Sequence, residues 1–114
     1  MAEEPINVRV ARCLGYHVVQ APIEPFGWIA WEMKSDSFGE YWMWERVHDY
    51  LHDDAFCHRL QRDNHLDIMW TEHDSEVQAF SDVLIPAVIY GDLNTAILEW
   101  LCAAVAAGVE AVTP

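Results

Sequence analysis

The sequence predicts an α+β fold, a small antiparallel or mixed sheet packed with about three helices, arranged as a single domain over residues 1–114. Three observations carry that expectation. Apolar residues recur at helical steps near the start, in the middle and most clearly at the end. Between these stretches lie short segments that are β-branched or alternate in polarity. Gly, Pro and Asp punctuate the joins. The predicted order is helix-strand-strand-helix-strand-strand-helix. A hydrophobic fraction of 53% suffices to fill a core, which argues against wholesale disorder.

The first helix is expected from Pro5 to Leu14. Pro5 suits a first helical turn, Glu3 and Glu4 stand near the positive end, and Ile6, Val10 and Leu14 make one apolar face. Gly15 ends it. Tyr16–Gln20 reads as a strand, Ala21–Pro25 as a turn, and Phe26–Met33 as a second strand carrying Trp28 and Trp31.

A middle helix is expected from Ser37, because Ser37 and Glu40 have the spacing of a capping box. Phe38, Trp42, Trp44, Val47, Leu51 and Ala55 supply its apolar residues. Asp53 and Asp54 can cap a second helical piece through Leu60, so one bent helix and two helices are both open. Leu66, Ile68 and Trp70 then alternate with Asp67, Met69 and Thr71 as in a half-buried strand. A turn at His73, Asp74 and Ser75 returns Val77–Phe80 as its hairpin partner. Val83–Tyr90 looks extended, but Pro86 makes it an edge strand or no strand. The last helix follows Gly91 and the N-cap Asp92. Leu93, Ala96, Ile97, Trp100, Leu101, Ala104 and Val105 give its apolar stripe, and Gly108 closes it.

Charge narrows the function classes. Nineteen acidic residues against six basic ones give a formal net charge of −13, and no Lys or Arg follows Arg62. Such a surface repels phosphate backbones and anionic membranes and attracts basic protein patches. No apolar run is long enough to span a membrane, and Met-Ala-Glu-Glu-Pro lacks the layout of a secretion signal, so cytoplasmic residence is expected. Cys13, Cys57 and Cys102 have no short spacing and read as free structural thiols.

Five constellations could carry chemistry. Glu45, His48 and His52 would share one face of the middle helix, a spacing that a divalent metal can use. Cys13 or Cys57 with a histidine could act as a nucleophile, but a thiolate needs an electropositive setting and this chain offers the reverse. Asp53 and Asp54 are adjacent carboxylates that could serve acid–base work, but at a helix start such pairs are far more often caps and solvated charges. Trp28, Trp31, Trp42 and Trp44, with Tyr41 and Phe38, form an aromatic band. On a helix, residues two apart point about 200° from each other, so Trp42 or Trp44 should be exposed or at an interface. Finally Glu40, Glu45, Asp49, Asp53, Asp54, Asp63 and Asp67 make an acidic array that could imitate phosphates or simply be solvated.

Three stretches also carry a family resemblance. They are Ile6-Asn-Val-Arg-Val-Ala-Arg-Cys-Leu-Gly-Tyr-His-Val-Val19, Ser35-Asp-Ser-Phe-Gly-Glu-Tyr-Trp-Met-Trp-Glu-Arg-Val-His-Asp-Tyr-Leu51 and Ala96-Ile-Leu-Glu-Trp-Leu-Cys-Ala-Ala104. In the order of helix, strand and Trp-bearing segment they resemble the phage ABA sandwich domain family, while Ala55–Tyr90 departs from its pattern. The resemblance covers under half the chain. It implies a phage-borne accessory product with an antiparallel sheet between helices and no catalytic residues. By analogy of origin it suggests an inhibitor of host defence, such as a CRISPR nuclease with basic channels.

The leading expectation is therefore a non-enzymatic inhibitor or adaptor without a cofactor. Its acidic, Trp-bearing surface, comprising Glu40, Trp42, Trp44, Glu45, Asp49, Asp53 and Asp54, would dock on a basic surface of a host protein or ribonucleoprotein complex. No direct contact with nucleic acid or membrane is expected. The alternatives are a small metal-binding protein using Glu45, His48 and His52, and a self-associating structural protein that forms a homodimer.

Overall fold

The computed structural model describes residues 4–20, 27–71, 75–86 and 91–114, and every described strand pairing is antiparallel. Among the described residues three α-helices accompany five strands, so the α+β class is the one the sequence predicts. The chain divides into two compact units, Met1–His48 and Asp49–Pro114, each with its own sheet.

The first unit opens with α1 (Ile6–Cys13), whose cap residue is Pro5. Glu4 receives both Nε and Nη2 of Arg12, at 3.0 and 2.7 Å, while Glu3 lies outside the described residues. The buried stripe is Val8, Val10 and Ala11, with Ile6 and Leu14 only half-buried. It departs from the expected Ile6-Val10-Leu14 row: Val10 is buried as expected, but Val8 and Ala11 take the places of Ile6 and Leu14. Gly15 takes φ +96, and the Tyr16 N–H reaches back to the Ala11 carbonyl at 3.1 Å, closing the helix.

β1 (His17–Gln20), β2 (Trp28–Asp36) and β3 (Gly39–Arg46) follow in the sheet order β1-β2-β3. The turn expected over Ala21–Pro25, and Phe26, lie outside the described residues. The middle helix expected from Ser37 is corrected here, because Gly39–Arg46 is a strand and Ser37-Phe38 a reversal. The carboxylate of Asp36, two residues before Phe38, accepts the Phe38 N–H at 2.7 Å, and Gly39 takes φ +121, which L side chains rarely adopt. Helix formation loses to that turn and to a run of β-favouring aromatics, Tyr41, Trp42 and Trp44.

In the second unit, a single 3₁₀ turn (Tyr50–His52) leads to α2 (Asp54–Asp63). Asp53 caps α2 as the sequence suggests, accepting the Phe56 N–H at 3.0 Å. Phe56, Cys57 and Leu60 point inward, with the Phe56 ring 4.9 Å from that of Tyr50. Asn64 then holds the C-terminal segment: it donates to the Leu60 and Val112 carbonyls and accepts the Val112 N–H.

β4 (Asp67–Trp70) and β5 (Val77–Phe80) pair in the hairpin read from the sequence, Asp67 opposite Phe80 and Trp70 opposite Val77. His73 and Asp74 of the expected turn lie outside the described residues. Residues 83–86 form no strand, and the rest of the expected Val83–Tyr90 segment is likewise outside. The Gln78 side chain donates to the Pro86 carbonyl there.

α3 (Leu93–Ala106) packs on β5, capped by the Asp92 carboxylate on the Thr95 N–H at 3.0 Å. Ala96, Ile97, Leu98, Trp100, Leu101 and Ala104 are buried. Leu98 was not expected inside, and Val105 was, yet Val105 is 44% exposed. Among the described residues, no helix is long and apolar enough to cross a membrane.

Leu101 is fully buried on α3 and Val105 is not. Leu101→Ala should therefore cost about 3 kcal/mol of stability, and Val105→Ala under about 0.5 kcal/mol. Urea denaturation of the two variants checks the contrast.

Candidate functional site

Strand pairing in the first unit decides which side chains share a surface. Opposite residues on antiparallel strands point to the same side, and successive residues alternate. The register Ile29–Arg46, Trp31–Trp44, Met33–Trp42 and Ser35–Glu40 places these eight side chains on one face, joined by His17 opposite Trp31. Val18 and Ala30 belong to the other face, where both are buried, and α1 contacts β1.

The first of these faces is aromatic and open. Trp42 is 55% exposed, Trp44 48% and Met33 44%. The rings of Trp31 and Trp44 lie 6.4 Å apart at 55°, a tilted contact that holds both indoles in place. An open cleft of about 530 Å³ is lined by His17, Trp31 and Trp42. Phe38 projects from the hairpin tip, 96% exposed.

The opposite face is polar along the hairpin. Lys34 pairs with Glu32 at 2.9 Å, and that hydrogen bond and charge raise the pKa of the Lys34 ammonium. Glu45 shares this side with Met43 around a second, smaller cleft.

The seven residues singled out for partner binding are thus divided. Glu40, Trp42 and Trp44 come together on one face of β3, and Glu45 points to the other. Asp49, Asp53 and Asp54 belong to the second unit. Asp49 binds the His52 Nδ1 at 2.7 Å, Asp53 caps α2, and Asp54 accepts the Asn94 amide at 2.8 Å. The expectation that helical geometry drives Trp42 and Trp44 apart is corrected: on a strand they point the same way, and both are exposed. Sequence reasoning missed Met33. The alternation Ile29, Trp31, Met33 in β2 was the signal for it.

The proposed metal triad loses its premise. Glu45 lies in β3, His48 in the irregular segment that follows, and His52 in the 3₁₀ turn, so no helix face presents all three. Among the described residues, no group of three or more His, Cys, Asp or Glu side chains is placed to hold a metal ion.

Cys57 is the buried thiol, whereas Cys13 and Cys102 are half-buried. Its Sγ donates to the Tyr50 carbonyl at 3.4 Å. Desolvation, reinforced by the charges of Asp53, Asp54 and Asp92, pushes its pKa up to about 12.

Comparison with protein-family models, with curated protein sequences and with solved structures finds no match for this chain.

The folded Cys57 thiol thus holds its proton above the ordinary 9.0 of an unfolded chain. Its contribution to stability is fully present below pH 9.0 and is lost as pH rises towards about 12. Cys57→Ala should flatten that alkaline decline in a denaturation series at rising pH. An equal decline in the variant would contradict the assignment.

Proposed function

We propose that this chain is a protein-binding accessory module, an inhibitor or adaptor that docks the indole face of its first unit on a basic protein site. The supporting observation is the exposure of Trp42, Trp44 and Met33 side by side on one sheet face. Exposed apolar area costs about 25 cal/mol per Å², and clustered indoles are the side chains that most often anchor protein interfaces.

Charge names the kind of partner. With a net charge of −13, the chain is repelled by nucleic acid and drawn to a basic groove, of the sort that ordinarily holds nucleic acid. Of the two acidic candidates on β3, Glu40 shares the indole face and Glu45 does not. The division of labour is then physical: indoles supply contact area and slow dissociation, while the distributed carboxylates speed the encounter. A host ribonucleoprotein of the CRISPR type has such basic channels, and the resemblance to phage accessory proteins points the same way.

A purified RNA-guided nuclease complex immobilised on a biosensor is the probe. Trp42→Ala with Trp44→Ala should weaken binding at least about tenfold, mainly through faster dissociation. Reversing Glu45, Asp49 and Asp54 should slow association and flatten its salt dependence. Binding that both sets of substitutions leave unchanged would refute this function.

A further inference from the structure

We infer that the open cleft walled by His17, Trp31 and Trp42 is a receptor for one arginine side chain, whose guanidinium stacks on the indoles. That a protein partner supplies the arginine rests on the docking reading above, whereas the preference of the cleft for this cation does not.

The cleft arises where the sheet narrows. β1 accompanies β2 only from Trp28 to Trp31, while β2 and β3 stay paired out to Asp36 and Gly39. His17, the first residue of β1, lies opposite Trp31 at that step. Trp42, opposite Met33, is the diagonal neighbour of Trp31. Diagonal positions stand roughly 7 Å apart between Cβ atoms. A flat group lying between two rings needs roughly 3.5 Å on each side, so this spacing suits one planar guest. Among the described residues these three side chains line the whole cleft, and its volume of about 530 Å³ is ample for an arginine side chain.

Apolar walls alone would accept a neutral ring as readily, and charge decides between the two. The face of an indole attracts cations more strongly than that of any other side chain. On the same side of β3, Glu40 stands two residues from Trp42, roughly 7 Å along the strand, and Arg46 four residues away, roughly 14 Å. The nearer of these two charges is thus the negative one. Lys34 points to the opposite face and pairs there with Glu32 at 2.9 Å. The net charge of −13 adds a general field of the same sign as Glu40.

Among biological cations the guanidinium fits best. It is planar and weakly hydrated, so it enters an aromatic slot at less cost than the compact ammonium of lysine. Stacked on Trp42, it keeps its N–H edge free to meet a carboxylate, and Glu40 is the carboxylate on that face of β3.

The test is a titration of the full chain with N-acetyl-argininamide, followed through the indole N–H signals in heteronuclear NMR spectra. Signals of Trp31 and Trp42 should shift and saturate, with half-saturation at about 1–10 mM. The signal of Trp70, an exposed indole of the second unit, should stay in place. N-acetyl-citrullinamide, neutral and nearly the same shape, should bind at least about tenfold more weakly, and N-acetyl-lysinamide about threefold. These comparisons use the unaltered chain and do not depend on any variant folding. Trp42→Ala should weaken argininamide binding at least about tenfold, and Trp42→Phe, which keeps a ring of poorer cation affinity, about threefold. Glu40→Gln should weaken it about twofold. Equal binding of citrullinamide, shifts of Trp70 as large as those of Trp42, or no shift up to about 100 mM would each overturn the inference. Argininamide binding without affinity for the nuclease complex would remove the docking reading and keep the cleft assignment. Nuclease binding without an argininamide shift would do the reverse.

Discussion

A single reversal, Asp36-Ser37-Phe38-Gly39, governs what the first unit can present. The Asp36 carboxylate holds the Phe38 N–H, and Gly39 accepts a backbone angle that a side chain would resist. Together they fix which residue of β2 lies opposite which residue of β3. Because side chains alternate along a strand, a register displaced by one residue would set Trp42 and Trp44 opposite Glu32 and either Ala30 or Lys34 rather than Met33 and Trp31. The aromatic face is thus a consequence of one short turn. The other side differs, since Val18 and Ala30 are buried there.

The acidic bias of the chain has two uses that composition alone cannot separate. Asp36, Asp53 and Asp92 each accept a backbone N–H, at Phe38, Phe56 and Thr95, and so define a turn and two helix starts. Asp54 braces the Asn94 side chain, which also donates to the Leu51 carbonyl. The carboxylates of Asp53, Asp54 and Asp92 further raise the Cys57 pKa, a thiol already desolvated by burial. A negative environment around a buried thiol stabilises its neutral form and makes it a poor nucleophile. The remaining carboxylates supply a net field, which suits long-range attraction better than a shaped contact surface.

Much of the second unit was legible in the sequence because its signals agree with one another. Asp92 followed by an apolar stripe gave α3, and the alternation from Leu66 to Trp70 with Val77–Phe80 gave the hairpin. The first unit misled at Ser37. A capping-box spacing and apolar residues three and four apart suggested a helix, while Asp-Ser-Phe-Gly followed by Tyr, Trp and Trp carried the competing turn and strand chemistry. Tyr41, Trp42, Met43 and Trp44 are all apolar, so period two left no trace in polarity. The pairing partner was therefore the deciding fact, and pairing is a tertiary property. The candidate site shows the same split: Trp42 and Trp44 were found, but Met33 joins them only through register.

Residues 28–46 form this hairpin and so gather the indoles on one face. Nuclear Overhauser contacts between α-protons test it most directly, since the pairs Trp31–Trp44 and Met33–Trp42 fall between the hydrogen-bonded pairs of the ladder. Close approach of their α-protons makes those two contacts strong. Sequential helical contacts running from Phe38 through Leu51, with neither cross-strand pair observed, would contradict the account.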